Sequence, residues 1–350
     1  MSFYLEDKVK HIFSKRDPGL IIMDNSSLSV WEECNRKFLY RVILSLREPK
    51  EKVALSFGKA FHRFLEYYYS GHTFEESFAE FVTTATKDNS QITVTKDESI
   101  ENGHEQEYSL EFGFLLCKKY AEIHPIEREY FTPMKTDGGE YYLEMGFALN
   151  LLNGIIIGLI DGLATINSSK TDIVLEHKTT KYNINSSYLS DFNPNNQVST
   201  YLYAASELLG KPVTTALINV IRVKDYKRGT PEENDEKLFG RIETSRDKEQ
   251  LEQRMRHANF QLDQIQQSID VGLDGFPMHT QSCRTRFGEC EYRKLCMANN
   301  DRMIQILAES AYITKAWSPY EVFEDAKKVV EVDVQEHTVD LVDIKDVVEI

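Results

Sequence analysis

Glu176 and Lys178 stand one residue apart at the end of the run Thr171-Asp-Ile-Val-Leu-Glu176-His-Lys178-Thr-Thr180. Successive side chains of a strand alternate between faces, so the acid, the amine and Val174 share one face while His177 takes the other. Two readings of the pair are open: a surface ion pair at a strand end, or an acid and an amine presented together for chemistry. Asp161 bears on the choice. It interrupts Gly154-Ile-Ile-Ile-Gly158-Leu-Ile-Asp161-Gly-Leu-Ala-Thr-Ile166, where an unpaired carboxylate would be expensive, so it needs a charged partner or a metal ion. Gly58, His62 and Glu66 are spaced four apart on a helical stretch and line one side of it. A lone helical histidine is more often a packed or surface residue than a ligand, but this face also carries an acid and a glycine that allows close approach. Gln197 and Tyr201 lie one turn apart on an amphipathic segment that Gly210 closes.

Cysteine usage points to a second kind of site. Of the five cysteines, Cys283, Cys290 and Cys296 crowd within fourteen positions, Cys34 lies far upstream, and Cys117 sits in the apolar Phe112-Gly-Phe-Leu-Leu-Cys117, as a core thiol does. The start, Met1-Ser-Phe-Tyr-Leu-Glu-Asp-Lys, lacks the layout of a signal peptide, so metal binding is expected rather than a disulfide framework, and a cytoplasmic location. No run approaches the eighteen apolar residues of a membrane helix.

The elements that must position these groups are legible from periodicity. A short helix is expected over Phe3 to Phe13. Serines at 26 and 27 can cap a helix with Leu28, Trp31, Phe38 and Leu39 on its apolar face, and Cys34, Arg36, Lys37 and Arg41 ride on it. A helix follows from about Ser56 and another from Glu105 to Ile123, with a polar stretch near Lys87 to His104. From Glu140 the pattern changes to strands: Tyr141 to Leu149, Gly154 to Ile166 and Thr171 to His177. The last two are joined by a turn short enough for an antiparallel hairpin. Strands at Val213 to Val223 and Leu238 to Thr244 bracket a basic loop with Arg222, Lys224, Lys227 and Arg228, and a charged helix spans Arg246 to Val271.

At 350 residues the chain can bury a full core, and 41% hydrophobic with 28% charged residues is ordinary for a globular protein. The formal charge of -15 argues at first against a nucleic-acid partner. From Pro319 to Ile350, however, ten acids face three lysines, which leaves the rest of the chain room for a basic groove. Val329, Val330, Val332, Val334 and Leu341 alternate with the charges of this tail. Such a tail reads either as an exposed partner-binding or self-masking segment or as a disordered or edge-strand one.

Gly58-x-x-x-His62, Glu144, Gly158-x-x-Asp161, Glu176-x-Lys178 and Gln197-x-x-x-Tyr201 follow one another in the order seen in the RecB-like branch of the PD-(D/E)XK nuclease superfamily. The chain resembles that branch over residues 26 to 300, and is similar to its CRISPR-associated and phage-encoded exonucleases in having one cysteine upstream and three downstream. The resemblance implies an α/β fold, a restriction-endonuclease-like mixed β-sheet of about five strands flanked by helices, with a helical N-terminal extension and a C-terminal cysteine cluster. It implies a metal-dependent deoxyribonuclease, an exonuclease of recombination, repair or DNA processing. Hydrolysing a phosphodiester needs a nucleophilic water and relief of charge on the phosphate oxygens, which a hard divalent ion held by carboxylates provides.

By the same resemblance Asp161 and Glu176 hold Mg²⁺ or Mn²⁺, with His62 and the main-chain carbonyl of His177 as further ligands. Lys178 positions the attacking water, Gln197 and Tyr201 orient the substrate or that water, and Glu144 stands behind the ligands. Cys34, Cys283, Cys290 and Cys296 match a [4Fe-4S] site, with tetrahedral zinc and free thiols as alternatives. Two departures stand out: Cys34-Asn35 replaces a Cys-Pro pair, and six residues rather than two separate Cys283 from Cys290. Glu176 also stands where the branch often has aspartate.

The expected segments are a helical part over 1–130, a nuclease core over 131–270, the cysteine segment over 271–300 and the acidic tail over 301–350. Arg36, Arg222, Lys224, Lys227, Arg228, Arg284 and Arg286, with Arg293 and Lys294, are candidates to face DNA, as single strands or duplex ends. The chain has no Gly-x-x-x-x-Gly-Lys-Ser/Thr loop, so a helicase, recombinase or CRISPR integrase partner would be a separate polypeptide. The competing reading is a DNA-binding or scaffold protein that keeps the nuclease fold in a recombination or spacer-acquisition complex.

Overall fold

The structure, a computed structural model, describes residues 8–49, 53–87, 92–95, 108–223, 238–285, 288–298, 301–315, 318, 321, 323, 326 and 328–342. Its strands are β1 (Ile21–Asp24), β2 (Leu46–Arg47), β3 (Phe131–Pro133), β4 (Leu143–Leu151), β5 (Gly154–Ile166), β6 (Asp172–Thr180), β7 (Thr215–Arg222), β8 (Phe239–Ser245), β9 (Arg284–Thr285), β10 (Gly288–Glu289), β11 (Ile313–Thr314), β12 (Lys328–Asp333) and β13 (Thr338–Val342). Its helices are α1 (Asn25–Glu33), α2 (Asn35–Phe38), α3 (Val53–Tyr69), α4 (Phe74–Lys87), α5 (Leu110–Ile123), α6 (Ser186–Ser190), α7 (Asn196–Leu209), α8 (Lys248–Val271), α9 (Arg293–Met297) and α10 (Asp301–Ala311). The class is mixed α/β. The chain divides into two compact units, each gathered from separate stretches: Met1–Glu51, Gly146–Leu159 and Glu249–Ile350 make the first, Lys52–Met145 and Ile160–Lys248 the second.

In the second unit β5 and β6 form the antiparallel pair that the short turn predicts, with Gly162 opposite Leu175 and Leu163 opposite Val174. β7 joins β6 in parallel, from Ile173↔Thr215 to Thr180↔Arg222, a connection that requires a crossover, here carried by α6 and α7. β8 closes the row antiparallel to β7, and β3 lies antiparallel to the end of β5. Phe57, Phe61 and Phe64 of α3 recur at helical spacing and are buried with Phe81, Phe112, Leu116, Cys117 and Tyr120 against Ile173 and Leu175 of β6. Each such aromatic contributes about 1.5–3 kcal/mol by leaving water. The odd-numbered face of β6 therefore looks at this helical layer. Gly58 is where α3 comes closest to the strand: a Cβ there would sit 2.8 Å from Thr179 Oγ1.

In the first unit β1 pairs in parallel with the start of β5. Gly154 has φ +156, and a Cβ on it would meet the Ile21 carbonyl oxygen at 2.6 Å. The α1 helix is capped by Asp24, whose carboxylate accepts from the Ser27 amide at 2.6 Å, not by the serines. It breaks at Cys34, which is extended (φ -168, ψ 117), before α2 begins. Of the helix expected over Phe3 to Phe13, the described part is a 3-10 turn at Lys10–Ile12. Within residues 328–342, β12 and β13 form an antiparallel hairpin, and β12 lies beside β4. Val329 and Phe323 are buried with Ile22, Ala148, Ile155 and Ile157, so Val329, Val330 and Val332 mark a strand, while Val334 lies in the turn that follows it. No helix among the described residues is long and apolar enough to cross a membrane.

One buried cation sets the start of α7. Arg246 is 3% exposed and donates only to neutral oxygens among its recorded bonds: Nε to Ser199 Oγ (3.1 Å), Nη1 to Asn193 Oδ1 (3.1 Å), Thr244 Oγ1 (2.7 Å) and the Ser245 carbonyl (2.8 Å), and Nη2 to the Phe192 carbonyl (2.9 Å). It thereby ties the segment leading into α7 to the end of β8. Arg246→Met would leave several buried oxygens without donors, and the expected loss is about 2–4 kcal/mol of unfolding free energy. Urea denaturation of the two proteins measures it.

Candidate active site

Period two on β6 places Glu176 and Lys178 together on the face opposite the helical layer. Lys178 Nζ is ion-paired with Glu176 Oε1 and donates to Gln197 Oε1 at 2.9 Å. Gln197 Nε2 in turn donates to the Tyr201 hydroxyl at 2.8 Å. The acid, the amine, the amide and the phenol expected from sequence thus form one continuous chain of contacts between β6 and α7. Asn195 caps α7 by accepting from the Val198 amide, so the helix begins one residue before Gln197.

At the edge of this chain β5 delivers Asp161. Its Oδ2 accepts from the His177 main-chain amide at 2.6 Å, and its Oδ1 lies 3.4 Å from His62 Nδ1 of α3. His62, Glu144 and Asp161 form the one group of three candidate ligands found among the described residues, with donor atoms all within 4.8 Å of one another. Glu144, expected to stand behind the ligands, is thus within ligand distance of Asp161 and His62. It sits on β4 with φ +50, a conformation rarely adopted by a residue with a Cβ and often found at functional sites. Glu176 is 2% exposed, and its Oε2 has no hydrogen-bond partner among the described residues.

The charges here oppose one another. Burial pushes the Glu176 carboxyl above the usual carboxylate range; Lys178 pulls it down and Asp161 pushes it up further. Burial also works against a charged Asp161, yet the neighbouring His62 outweighs it and holds that carboxyl below its usual value. For Lys178 burial is outweighed by Glu176 and Asp161, which keep the ammonium charged. The Lys178–Glu176 pair thus favours the amine's charge more clearly than the acid's, because the lysine keeps 29% of its side chain exposed and the glutamate 2%. Two acids facing each other in a dry site are the arrangement that a bound cation relieves.

On the other face of β6, His177 meets residues absent from the sequence expectation. His177 stacks on Tyr69, with ring centroids 5.9 Å apart and planes 6° from parallel, and its Nδ1 meets Asn219 Nδ2 at 3.1 Å. Burial pushes it down to about 3, so it is neutral. Asn219, Tyr120, Arg241 and Glu129 continue this network. The signal that exposed Asp161, a polar residue inside an apolar run, was equally present at Asn219 between Ile218 and Val220.

The first unit gathers the cysteines. Cys34, Cys283, Cys290 and Cys296 line one pocket with Lys37, Met278, His279, Ser282, Tyr292 and Arg293. The break after α1 turns Cys34 into it, and the His279 amide donates to Cys34 Sγ at 3.4 Å. The extra residues between Cys283 and Cys290 include the antiparallel pair β9 and β10. That pair returns the chain so that the Cys290 amide donates to the Cys283 carbonyl at 3.0 Å. Burial is the main cause that pushes the Cys296 thiol up to about 11; Arg36 pulls it down, and Cys34, Cys290 and Cys283 add to the rise.

The basic candidates separate. Arg36 commits its guanidinium to the carbonyls of Phe276 (2.7 Å) and Leu273 (3.3 Å), and Arg222 is buried on β7, so neither presents its charge on the surface as the sequence suggests. Arg36 is turned toward the carbonyls of the 273–276 turn, and Arg222 is carried inward by an apolar strand. Arg284 is exposed. Lys224, Lys227, Arg228 and Arg286 lie outside the described residues.

The family model of the PD-(D/E)XK nuclease superfamily matches residues 25–297. No curated protein matches the chain. Among solved structures, a candidate exonuclease from Eubacterium rectale is similar over 92% of this chain and 96% of its own, at 11% identity and a TM-score of 0.41.

The raised Glu176 carboxyl has a measurable consequence in metal-free protein. A carboxyl whose folded value lies above its unfolded value contributes stability that is complete below about pH 4 and is lost as pH rises through the folded value. Glu176→Gln mimics the protonated form. Its urea midpoint is expected to match the wild type at pH 4 and to exceed it at pH 8 in the presence of a chelator.

Proposed function

We propose that this chain, which belongs to the PD-(D/E)XK nuclease superfamily, is a Mg²⁺- or Mn²⁺-dependent deoxyribonuclease of the RecB-like kind, acting as an exonuclease on DNA ends or single strands. The observation that carries the reading is the pairing of two buried acids on adjacent strands with an ammonium fixed between Glu176 and Gln197. A scaffold protein has no need to keep Asp161 in an apolar strand.

The residues present fit a hard divalent ion. The donors are carboxylate and imidazole, and Glu176 Oε2 is a buried oxygen without a partner among the described residues. Asp161, Glu176, His62 and the main-chain carbonyl of His177 would hold the ion, with Glu144 beside them. When bound, it would supply an acidified water and neutralise charge on the phosphate. Asp161 has its orientation set by the His177 amide before any ion arrives. Lys178, steered by Glu176 and Gln197, presents its ammonium where negative charge develops on the phosphate oxygens. Gln197 spends its oxygen on Lys178 and its nitrogen on Tyr201, which fixes the amine's position along the strand face.

We read the cysteine pocket as a [4Fe-4S] site, which would staple the α1–α2 break to the 279–296 segment. Its four cysteines line one pocket, and four thiolates are the ligand set that such a cluster takes, with tetrahedral zinc as the alternative.

Labelled linear DNA with Mn²⁺ tests the nuclease. Asp161→Ala and Lys178→Ala are each expected to lower the cleavage rate at least about a hundredfold, and equal cleavage by both variants and the wild type would refute it. Anaerobically purified protein is expected to show the visible charge-transfer absorption of an iron–sulfur cluster, and Cys290→Ser to lose it.

A further inference from the structure

A polar row runs across three strands behind the metal site, and the proposed chemistry does not use it. His177 on β6 is paired in register with Asn219 on β7, and Asn219 with Arg241 on β8. Arg241 grips Glu129 through two parallel bonds, Nη1 to Oε2 at 2.9 Å and Nη2 to Oε1 at 2.6 Å, the geometry that fixes a guanidinium most firmly. Its remaining donors reach Tyr69 and Tyr120 hydroxyls, both at 3.2 Å, and Asn219 Oδ1 at 3.3 Å.

This row determines where protons sit. A guanidinium can only donate, so the side of Asn219 that faces Arg241 must be its carbonyl oxygen. The amide nitrogen then faces the other way, donating to the Tyr120 hydroxyl at 2.8 Å and to His177 Nδ1 at 3.1 Å. A ring nitrogen that receives a donor carries no proton, so His177 is the Nε2–H tautomer. The same ring lies flat on Tyr69 and meets the His62 ring edge-on, at 5.9 Å and 89°. The main chain of this residue is what holds Asp161, through the 2.6 Å amide bond.

We infer that Arg241, anchored by Glu129, is a positioning residue of the metal site: through Asn219 it locks the His177 ring in one tautomer and one orientation, and so fixes the main chain that orients Asp161. The inference rests on the nuclease reading above for its purpose, but not for its measurement. A row of apolar residues would fill these three strands at no cost in buried charge. The polar row supplies instead a direction, carried from a fixed guanidinium to a single ring nitrogen. It does for the ligands what outer hydrogen-bond partners do in metal sites generally, where their loss typically costs ten- to a hundredfold in metal affinity.

The test compares full-length protein with Asn219→Asp, Arg241→Met and Arg241→Lys. Nitrogen-15 NMR of histidine-labelled protein, with the His177 signals identified by their loss in His177→Gln, reads the tautomer, and calorimetry with Mn²⁺ alone reads affinity. Asn219→Asp places an acceptor opposite Nδ1, and it is expected to move the ring proton to that nitrogen and weaken Mn²⁺ binding about tenfold. Arg241→Met is expected to weaken Mn²⁺ similarly, and Arg241→Lys, which keeps a donor toward Asn219, to retain the wild-type tautomer and most of the affinity. If Arg241→Met does not fold, the contrast between Asn219→Asp and Arg241→Lys decides alone. Wild-type Mn²⁺ affinity and an unchanged His177 tautomer in Asn219→Asp would overturn the inference. Absence of DNA cleavage by the wild type would remove the nuclease reading while leaving the NMR and Mn²⁺ results to stand or fall by themselves.

Discussion

A carboxylate inside an apolar strand has to be compensated, and Asp161 sets that requirement for the whole second unit. Burial alone would neutralise it or cost several kcal/mol. The strand pairing meets the requirement on one oxygen, through the His177 amide, and α3 meets it on the other, through His62. Both solutions fix geometry. The β5–β6 register has to be the observed one for the amide to arrive, and α3 has to pack tightly enough for its histidine to reach, which Gly58 allows at Thr179. A site that begins as an electrostatic liability is thereby built on rigid elements rather than on loops.

Much of this arrangement could be read from residue order. Alternation on β6 separates His177 from Glu176 and Lys178, a one-turn spacing joins Gln197 to Tyr201, and a short polar turn makes β5 and β6 a hairpin; all three are local rules that the fold obeys. What could not be read depends on contacts distant in sequence. Asp24 displaces Ser26 and Ser27 as the cap of α1 because a carboxylate preceding the helix reaches the Ser27 amide. Arg36 and Arg222 look like surface cations, yet one serves carbonyls some 240 residues away and the other lies within a strand. Asn219 and Arg241 carry no spacing rule at all, since only the parallel pairing of β6 with β7 brings Asn219 to His177.

The two faces of β6 divide the work. One carries ionisable groups and is left partly open at Lys178. The other carries a neutral imidazole, an amide, two phenols and an ion pair, closed in by the aromatic layer of α3 and α5. A single strand thus borders two polar environments, one partly open and one closed, and the main chain between them is shared.

The cysteine pocket has a temporal consequence. Cys34 leaves the ribosome about 260 residues before Cys296, an interval of roughly ten to fifty seconds at about 5–20 residues per second. All of the second unit emerges within that interval, while the first unit still lacks α8, α9 and the strands β12 and β13. A group held by all four thiols could therefore be bound only after synthesis has passed the unit containing Asp161 and Glu176. In a growing chain the four cysteines can come together only after the acids have had time to find their strands.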